Sequence, residues 1–199
     1  GVGFKLAQAY HQQYNLPFED LVPLLDLVVV SIAADIVPMI DENRVLSFYG
    51  LQQLNTSPRI GLKALMDVAS RKNSFSITDV VFSLAPRINA AGRIEHGNKA
   101  VELLVQQDFS IAKEKADYID NHNFSRKELD KSITREALAM IVQGANSTVV
   151  CNEKWHKGVV GIVASRLIET HYRPTIVLTE SNGKLTGSAR SVSGFDIYN

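Results

Sequence analysis

Apolar residues recur at a helical interval over residues 3–14, where Phe4, Leu6, Ala7, Ala9 and Tyr10 supply one face and Asn15 and Pro17 end the pattern. The next apolar run is different. Residues 25–32 are β-branched and nearly continuous, as expected of a strand buried on both faces of a parallel sheet. The run passes through Ala33-Ala34-Asp35 to Pro38, which takes the chain out of regular structure and biases Ile36-Val37 towards an extended form. Short helices are predicted from about Asn43 to Leu54, from Pro58 with Ile60, Leu65 and Val68 inward, from Thr78 with Asp79 in its first turn, and from Asn98 to Val105. Between the last two lies a glycine-containing loop, Pro86-Arg87-Ile88-Asn89-Ala90-Ala91-Gly92-Arg93.

Ser110 caps a long helical run that reaches Gly144, polar almost all round at first and then apolar at Leu129, Ile133, Ala137 and Ile141. Such a helix is about 50 Å long, and a long solvated helix commonly bridges two domains. The expected division is therefore 1–108, a connecting helix at 109–145, and 146–199. The last part changes pattern: a strand at Thr148 to Cys151, a helix at Gly158 to Thr170, a strand at Thr175 to Leu178, a hairpin signal at Asn182-Gly183 and a returning strand at Lys184 to Arg190. The fold class is α/β, with a mostly helical first lobe containing one parallel-sheet strand and a small β-α-β-β second lobe.

Composition narrows the function classes. With 45% hydrophobic and 21% charged residues the chain reads as an ordinary soluble one, and no apolar run approaches the roughly 20 residues needed to span a bilayer. No secretory signal is visible. Lys+Arg and Asp+Glu both total 21, so nucleic-acid contact would have to come from a local cluster and not from a general positive charge. A single cysteine, Cys151, excludes an internal disulfide and a multi-thiolate zinc site, and points to a reducing, cytoplasmic setting. The chain opens at Gly1 inside a helical pattern, without an initiator Met, and stops at Asn199 without terminal punctuation, which is the expectation for an internal fragment.

Four places could carry chemistry. Asp35 follows the buried apolar run, and in open α/β sheets ligands bind beyond the carboxyl ends of strands. A carboxylate there suits a hard cation such as Mg²⁺ or Mn²⁺, although one carboxylate does not hold two metals, and a loop aspartate bonded to nearby N–H groups is the other reading. In the second segment, Arg87, Asn89, Gly92 and Arg93 combine guanidinium forks that match phosphate oxygens with a glycine that admits a ligand close to the backbone. The alternative is a helix connection whose arginines pair with surface carboxylates, with His96 close behind and lining the same cleft if the first reading holds.

The third segment, Trp155-His156-Lys157-Gly158, precedes a helix whose free N–H groups attract anions. Lys157 adds charge, His156 a donor and Trp155 a stacking face, while each taken singly is as readily structural. Arg166, two turns on, is the odd charged residue of an apolar helix. In the fourth, Ser188, Arg190, Ser191, Gly194 and Phe195 form a strip in which hydroxyls and arginine hold phosphate and the ring stacks on a base; a strand end with a solvent-facing arginine and a core phenylalanine is the alternative. His11, His122 and His171 show no metal-ligand spacing, and there is no P-loop, GxSxG or dinucleotide fingerprint.

Taken together and in this order, LVVVSIAADIVP (Leu27 to Pro38), PRINAAGR (Pro86 to Arg93), WHKGVVGIVASR (Trp155 to Arg166), RPTIVL (Arg173 to Leu178) and GSARSVSGFD (Gly187 to Asp196) resemble the RecJ family of the DHH phosphoesterase superfamily. The resemblance implies the C-terminal part of a DHH lobe, a long helix and a DHH-associated substrate-binding lobe. It implies 5′-to-3′ hydrolysis of single-stranded DNA with Mn²⁺ or Mg²⁺, in DNA repair and recombination, with a helicase or single-strand-binding protein as the class of accessory partner.

On that resemblance Asp35 is the catalytic, metal-binding aspartate. Ser188, Arg190 and Ser191 grip the 5′-phosphate and strand, and Arg87, Arg93, His156, Arg166 and Phe195 line the DNA groove. Ala189 stands where the family usually has glycine. The family's other acidic and DHH motifs fall outside these 199 residues, so the chain alone is expected to be inactive. A small-molecule or oligonucleotide phosphodiesterase, and a non-catalytic nucleic-acid-binding module, are the competing readings.

Overall fold

A computed structural model describes residues 1–69, 74–94 and 97–198. Among them, strands occur only from Thr148 onward and everything before is helical or irregular. The chain divides into two units, Gly1–Asn123 and Phe124–Asn199, and the long helix α8 (Phe109–Ala139) runs from one into the other.

The first unit holds α1 (Val2–Gln13), a 3₁₀ segment (Phe18–Leu24), α2 (Leu25–Ala34), α3 (Asp41–Thr56), α4 (Ile60–Ala69), α5 (Ile77–Asp79), a π-helical segment (Val80–Leu84), α6 (Ala85–Ile94) and α7 (Asn98–Leu104). The parallel-sheet strand expected at Leu25 to Ile32 is instead α2. This helix is wrapped by α3, α6, the 3₁₀ segment and the π segment, which bury Leu25, Val28, Val29, Val30, Ile32 and Ala33. Only the narrow face of Leu27, Ser31 and Ala34 is left partly open, too little polar to give a readable period, and packing on the other sides overrides the strand preference of three consecutive valines.

Two glycines let the helices close up. A side-chain carbon at Gly50 of α3 would lie 2.5 Å from the Leu25 carbonyl oxygen of α2, and one at Gly61 of α4 would run into the Leu103 carbonyl of α7. A fully buried carboxylate also ties the unit together. Asp26, in the first turn of α2, accepts the backbone N–H of Arg59 at 2.9 Å and meets its guanidinium at 2.9 Å. A negative charge suits that helix end.

The segment Pro86 to Arg93, expected as a loop, is α6. It continues a helical run that opens with a reciprocal Ser76–Asp79 capping box, slightly before the expected start at Thr78. Pro86 lacks an N–H and its ring crowds the carbonyl four residues back. The π-helical segment at Val80–Leu84 directly precedes it, and this wider turn lets the run pass the proline without stopping.

The second unit carries the later part of α8, then β1 (Thr148–Cys151), α9 (Lys157–Thr170), β2 (Thr175–Ser181) and β3 (Lys184–Arg190). The β-α-β-β order is as predicted. β1 pairs parallel with β2, with Thr148 opposite Thr175, and β2 pairs antiparallel with β3, with Thr175 opposite Arg190. Asn182 and Gly183 both take positive φ (55° and 71°), as a two-residue hairpin loop of the I′ kind requires. Val150, Val159, Val163, Leu167 and Val177 form the core with Ile133 and Ala137 of α8.

α8 stops at Ala139, short of Gly144. Met140 and Ile141 close its end with N–H bonds to Ala137 and Leu138, and the guanidinium of Arg173 gathers the carbonyls of Val142 and Ala145 with the hydroxyl of Thr148. The arginine thereby fixes the chain as it leaves the helix. No helix among the described residues is long and apolar enough to cross a membrane.

Candidate nucleic-acid interface

Side chains four apart share one face of a helix, and side chains two apart share one face of a strand. α9 therefore presents Gly161 and Ser165 together, β3 presents Ser188 and Arg190 together, and the two elements pack on each other. The Arg190 guanidinium lies at this contact. Its Nε–H donates to Ser165 Oγ at 3.0 Å, Nη1 to Ser188 Oγ and the Ala189 carbonyl at 3.0 Å each, and Nη2 to the Gly161 carbonyl at 3.4 Å.

All four acceptors are neutral oxygens, and no carboxylate pairs with Arg190 among the described residues. The side chain is exposed. The charge is thus fixed in place and left without a counter-charge, and a guanidinium so presented matches a phosphate.

The turn before α9 is held from two sides. Trp155 Nε1–H donates to Glu136 Oε2 of α8 at 2.9 Å, and the Thr179 hydroxyl of β2 donates to the Trp155 carbonyl at 2.6 Å. Trp155 is 4% exposed and part of the core, so it offers no stacking face. Its apolar ring is worth more inside, with its one donor satisfied. His156 caps α9: its Nδ1 accepts the Gly158 N–H at 3.1 Å, which places the proton of the neutral ring on Nε2. Lys157 is exposed beside it.

Beyond β3 the chain makes a turn at Val192–Phe195, with the Phe195 N–H bonded to the Val192 carbonyl and Gly194 at φ 81°. The Ser191 hydroxyl bonds the Phe195 carbonyl, and the Ser193 N–H reaches the Tyr172 hydroxyl at 3.1 Å. The Phe195 ring is exposed and outside the core. Arg166 points away from this cluster. One residue past Ser165 turns it about 100° around the helix, and it pairs with Asp130 of α8 at 2.7 Å.

In the first unit Asp35 ends a helix, and the strand-end premise for it fails with the strand. Its carboxylate is exposed and has no hydrogen-bond or ion-pair partner among the described residues. The Val37 N–H bonds the Ile32 carbonyl and the Ile36 N–H the Ala33 carbonyl, so residues 32–37 form a Schellman motif. The left-handed position, usually glycine, is Ile36 at φ 50°.

Arg87 is largely covered and committed internally, with Nε–H to Asp120 at 2.7 Å and Nη1 to the Ser83 carbonyl at 2.7 Å, binding α6 to α8. Asn89 is exposed on α6. The side chain of Arg93, and His96, lie outside the described residues. Among the described residues, no group of three or more His, Cys, Asp or Glu is gathered closely enough to hold a metal ion.

The DHHA1 domain matches residues 138–199, which hold β1, α9, β2, β3 and the Arg190 cluster. The single-stranded-DNA-specific exonuclease RecJ of Bacillus subtilis is 43% identical over 204 residues, covering 100% of this chain. The protein of the same description from Escherichia coli is 35% identical over 197 residues, covering 94% of it. The crystal structure of RecJ in complex with Mg²⁺ from Thermus thermophilus matches 100% of the chain at 32% identity with a TM-score of 0.89.

Over its whole length the chain is similar to RecJ. It spans 25% of the Bacillus subtilis protein, 34% of the Escherichia coli protein and 31% of the Thermus thermophilus chain.

Within this RecJ-type framework the structure brings Ser188 and Arg190 together with two residues that sequence reading left without a role, Gly161 and Ser165. Their four-residue spacing was a visible signal, but the face of α9 that meets β3 is not. Asp130 and Glu136 were also missed, because they stand among the polar positions beside the apolar repeat of α8, and the pattern does not show that α9 and its preceding turn reach them.

Proposed function

We propose that this chain is the part of a RecJ-like, single-stranded-DNA-specific exonuclease in which the second unit grips the strand and Asp35 of the first supplies one oxygen to a divalent cation. The RecJ relatives described above are named for that activity, and RecJ from Thermus thermophilus has been solved with Mg²⁺ and with Mn²⁺. The observation that carries the reading is the uncompensated Arg190 guanidinium beside the Ser188 hydroxyl.

In this reading Arg190 and Ser188 take a phosphate at the 5′ end, Lys157 adds charge at the start of α9, and the exposed ring of Phe195 stacks on a base without reading its identity. Residues 146–199 act as the substrate-binding lobe. Asp35 fits a hard cation, being an exposed carboxylate with no competing partner among the described residues. The chemistry such a cation supplies is neutralisation of charge at the scissile phosphate. One carboxylate is too few for two cations, so the 199-residue chain binds strand without cutting it. We place the whole protein in the cytoplasm, with a helicase or single-strand-binding protein as its class of partner.

The test is fluorescence anisotropy of the chain with a 5′-phosphorylated single strand. Binding is expected to weaken as salt rises, and Arg190→Ala to lose about tenfold, the loss of one charge-assisted phosphate contact. An Arg190→Ala chain that binds as tightly as the parent contradicts the reading.

A further inference from the structure

Arginine is a poor anchor unless something holds it. Its side chain carries several rotatable bonds, and ordering a rotamer-rich side chain on binding costs about 0.5–1.5 kcal/mol. Arg190 ends β3 with its side chain exposed, and within β3 only Nη1 is held, by Ser188 Oγ and the Ala189 carbonyl at 3.0 Å each. The other two held atoms, Nε and Nη2, are held by α9. Ser165 Oγ–H donates to the Gly161 carbonyl at 3.2 Å, which commits the hydroxyl proton to the helix and turns a lone pair outward. That lone pair accepts Arg190 Nε–H at 3.0 Å, while Arg190 Nη2 reaches the Gly161 carbonyl at 3.4 Å. Two atoms of the guanidinium are thereby seated on one helical turn, and its plane is set.

A small residue at Gly161 leaves room for the seat. A carbon built there would stand 3.9 Å from Arg190 Nη2 and 3.5 Å from Ser188 Oγ, so any longer side chain would fill the space the guanidinium uses.

We propose that Ser165 is a positioning residue for strand binding: its hydroxyl, seated on the Gly161 carbonyl, fixes the Arg190 guanidinium before the phosphate arrives. The proposal rests on the reading of Arg190 as the phosphate grip. Ser165 itself touches no strand. Its contribution is an ordering cost met within the fold and not at binding.

Two measurements on the 199-residue chain test it. The first needs no DNA. In ¹⁵N-resolved NMR spectra the Arg190 Nε–H signal is expected to be protected from solvent exchange in the parent and in Ser165→Thr, and unprotected in Ser165→Ala. The Nε–H of Arg173, bonded to Thr148 Oγ1 at 2.7 Å, should stay protected throughout and reports that the fold is intact.

The second is the affinity for a 5′-phosphorylated single strand at several salt concentrations. Ser165→Ala should bind about fivefold more weakly with an unchanged salt slope, because no charge is lost, whereas Arg190→Ala should reduce the slope. An Arg190 Nε–H equally protected in Ser165→Ala overturns the proposal. So does an unchanged Ser165→Ala affinity when Arg190→Ala weakens binding normally. If Arg190→Ala itself binds like the parent, the phosphate-grip reading fails and takes this proposal with it.

Discussion

The Arg166 guanidinium meets the Asp130 carboxylate at 2.7 Å, with the arginine side chain 50% exposed and the aspartate side chain only 5%. The pair fastens α9 to α8, and its two ends stand in different solvents. Removing Arg166 strands a buried carboxylate, while neutralising Asp130 leaves a guanidinium that water can reach. Arg166→Ala is therefore expected to destabilise the second unit by about 2 kcal/mol and Asp130→Asn by under about 1 kcal/mol. Trp155, the single tryptophan, sits in that unit's core and reports its unfolding in urea by fluorescence. Equal costs, or the reverse order, would show that burial does not set the balance.

Gly50 allows the backbone of α3 to meet that of α2. Gly50→Ala puts a carbon 2.5 Å from the Leu25 carbonyl oxygen and 2.8 Å from Val29 Cβ, and neither neighbour has a flexible end that can step aside. Overpacking of this kind costs about 1–3 kcal/mol. Thermal unfolding followed by helical circular dichroism should show a clearly lowered transition, and a variant as stable as the parent would mean that the two helices have room to separate.

Ile36 holds a left-handed backbone at the end of α2 although its side chain is β-branched and 80% exposed. An L-residue there costs about 1–2 kcal/mol, and nothing is gained by burial. Ile36→Asn keeps the Schellman bonds and suits the conformation, so it should stabilise the first unit by about 1 kcal/mol. Hydrogen exchange of the α2 amides measures this locally. Faster exchange in the variant would show that the isoleucine makes a contact worth more than its strain.

Glu102 accepts a hydrogen bond from the Lys115 ammonium at 2.7 Å, with Lys99 at 3.8 Å adding further positive charge, and these hold its carboxyl below the ordinary glutamate value. A lowered acid stabilises the fold when ionised. Its contribution is complete above the unfolded-state value and is lost as the pH falls through the lowered one. The gap in melting temperature between parent and Glu102→Gln should accordingly be small at neutral pH, because the site is exposed, and vanish in acid. A gap that widens as the pH falls would reverse the sign.

How much was legible differed between the units for a physical reason. β2, β3 and their Asn182-Gly183 turn follow from alternation and local turn chemistry, which are properties of neighbouring residues. α2 was misread because it is buried on most sides and its one open face holds Leu27, Ser31 and Ala34, which is too apolar to leave a period to detect. α6 was misread because Pro86 is a stop signal that the preceding π turn cancels. Arg190 was singled out from the residue types of its strip and from the family resemblance, but its partner Ser165 was not, since that contact forms only when β3 returns beside α9. Arg87 illustrates the opposite case: the residue type that suits phosphate is here committed to Asp120.

A direct test is to map where a strand touches the chain. In an NMR titration with a short 5′-phosphorylated single strand, the Arg190 Nε–H and the backbone amides of Gly161, Ser188 and Phe195 should shift first and saturate together. An unphosphorylated strand should move the Arg190 signal less. If the strand shifts only residues outside the α9–β3 face, or shifts none of them at saturating concentration, the second unit does not grip the phosphate.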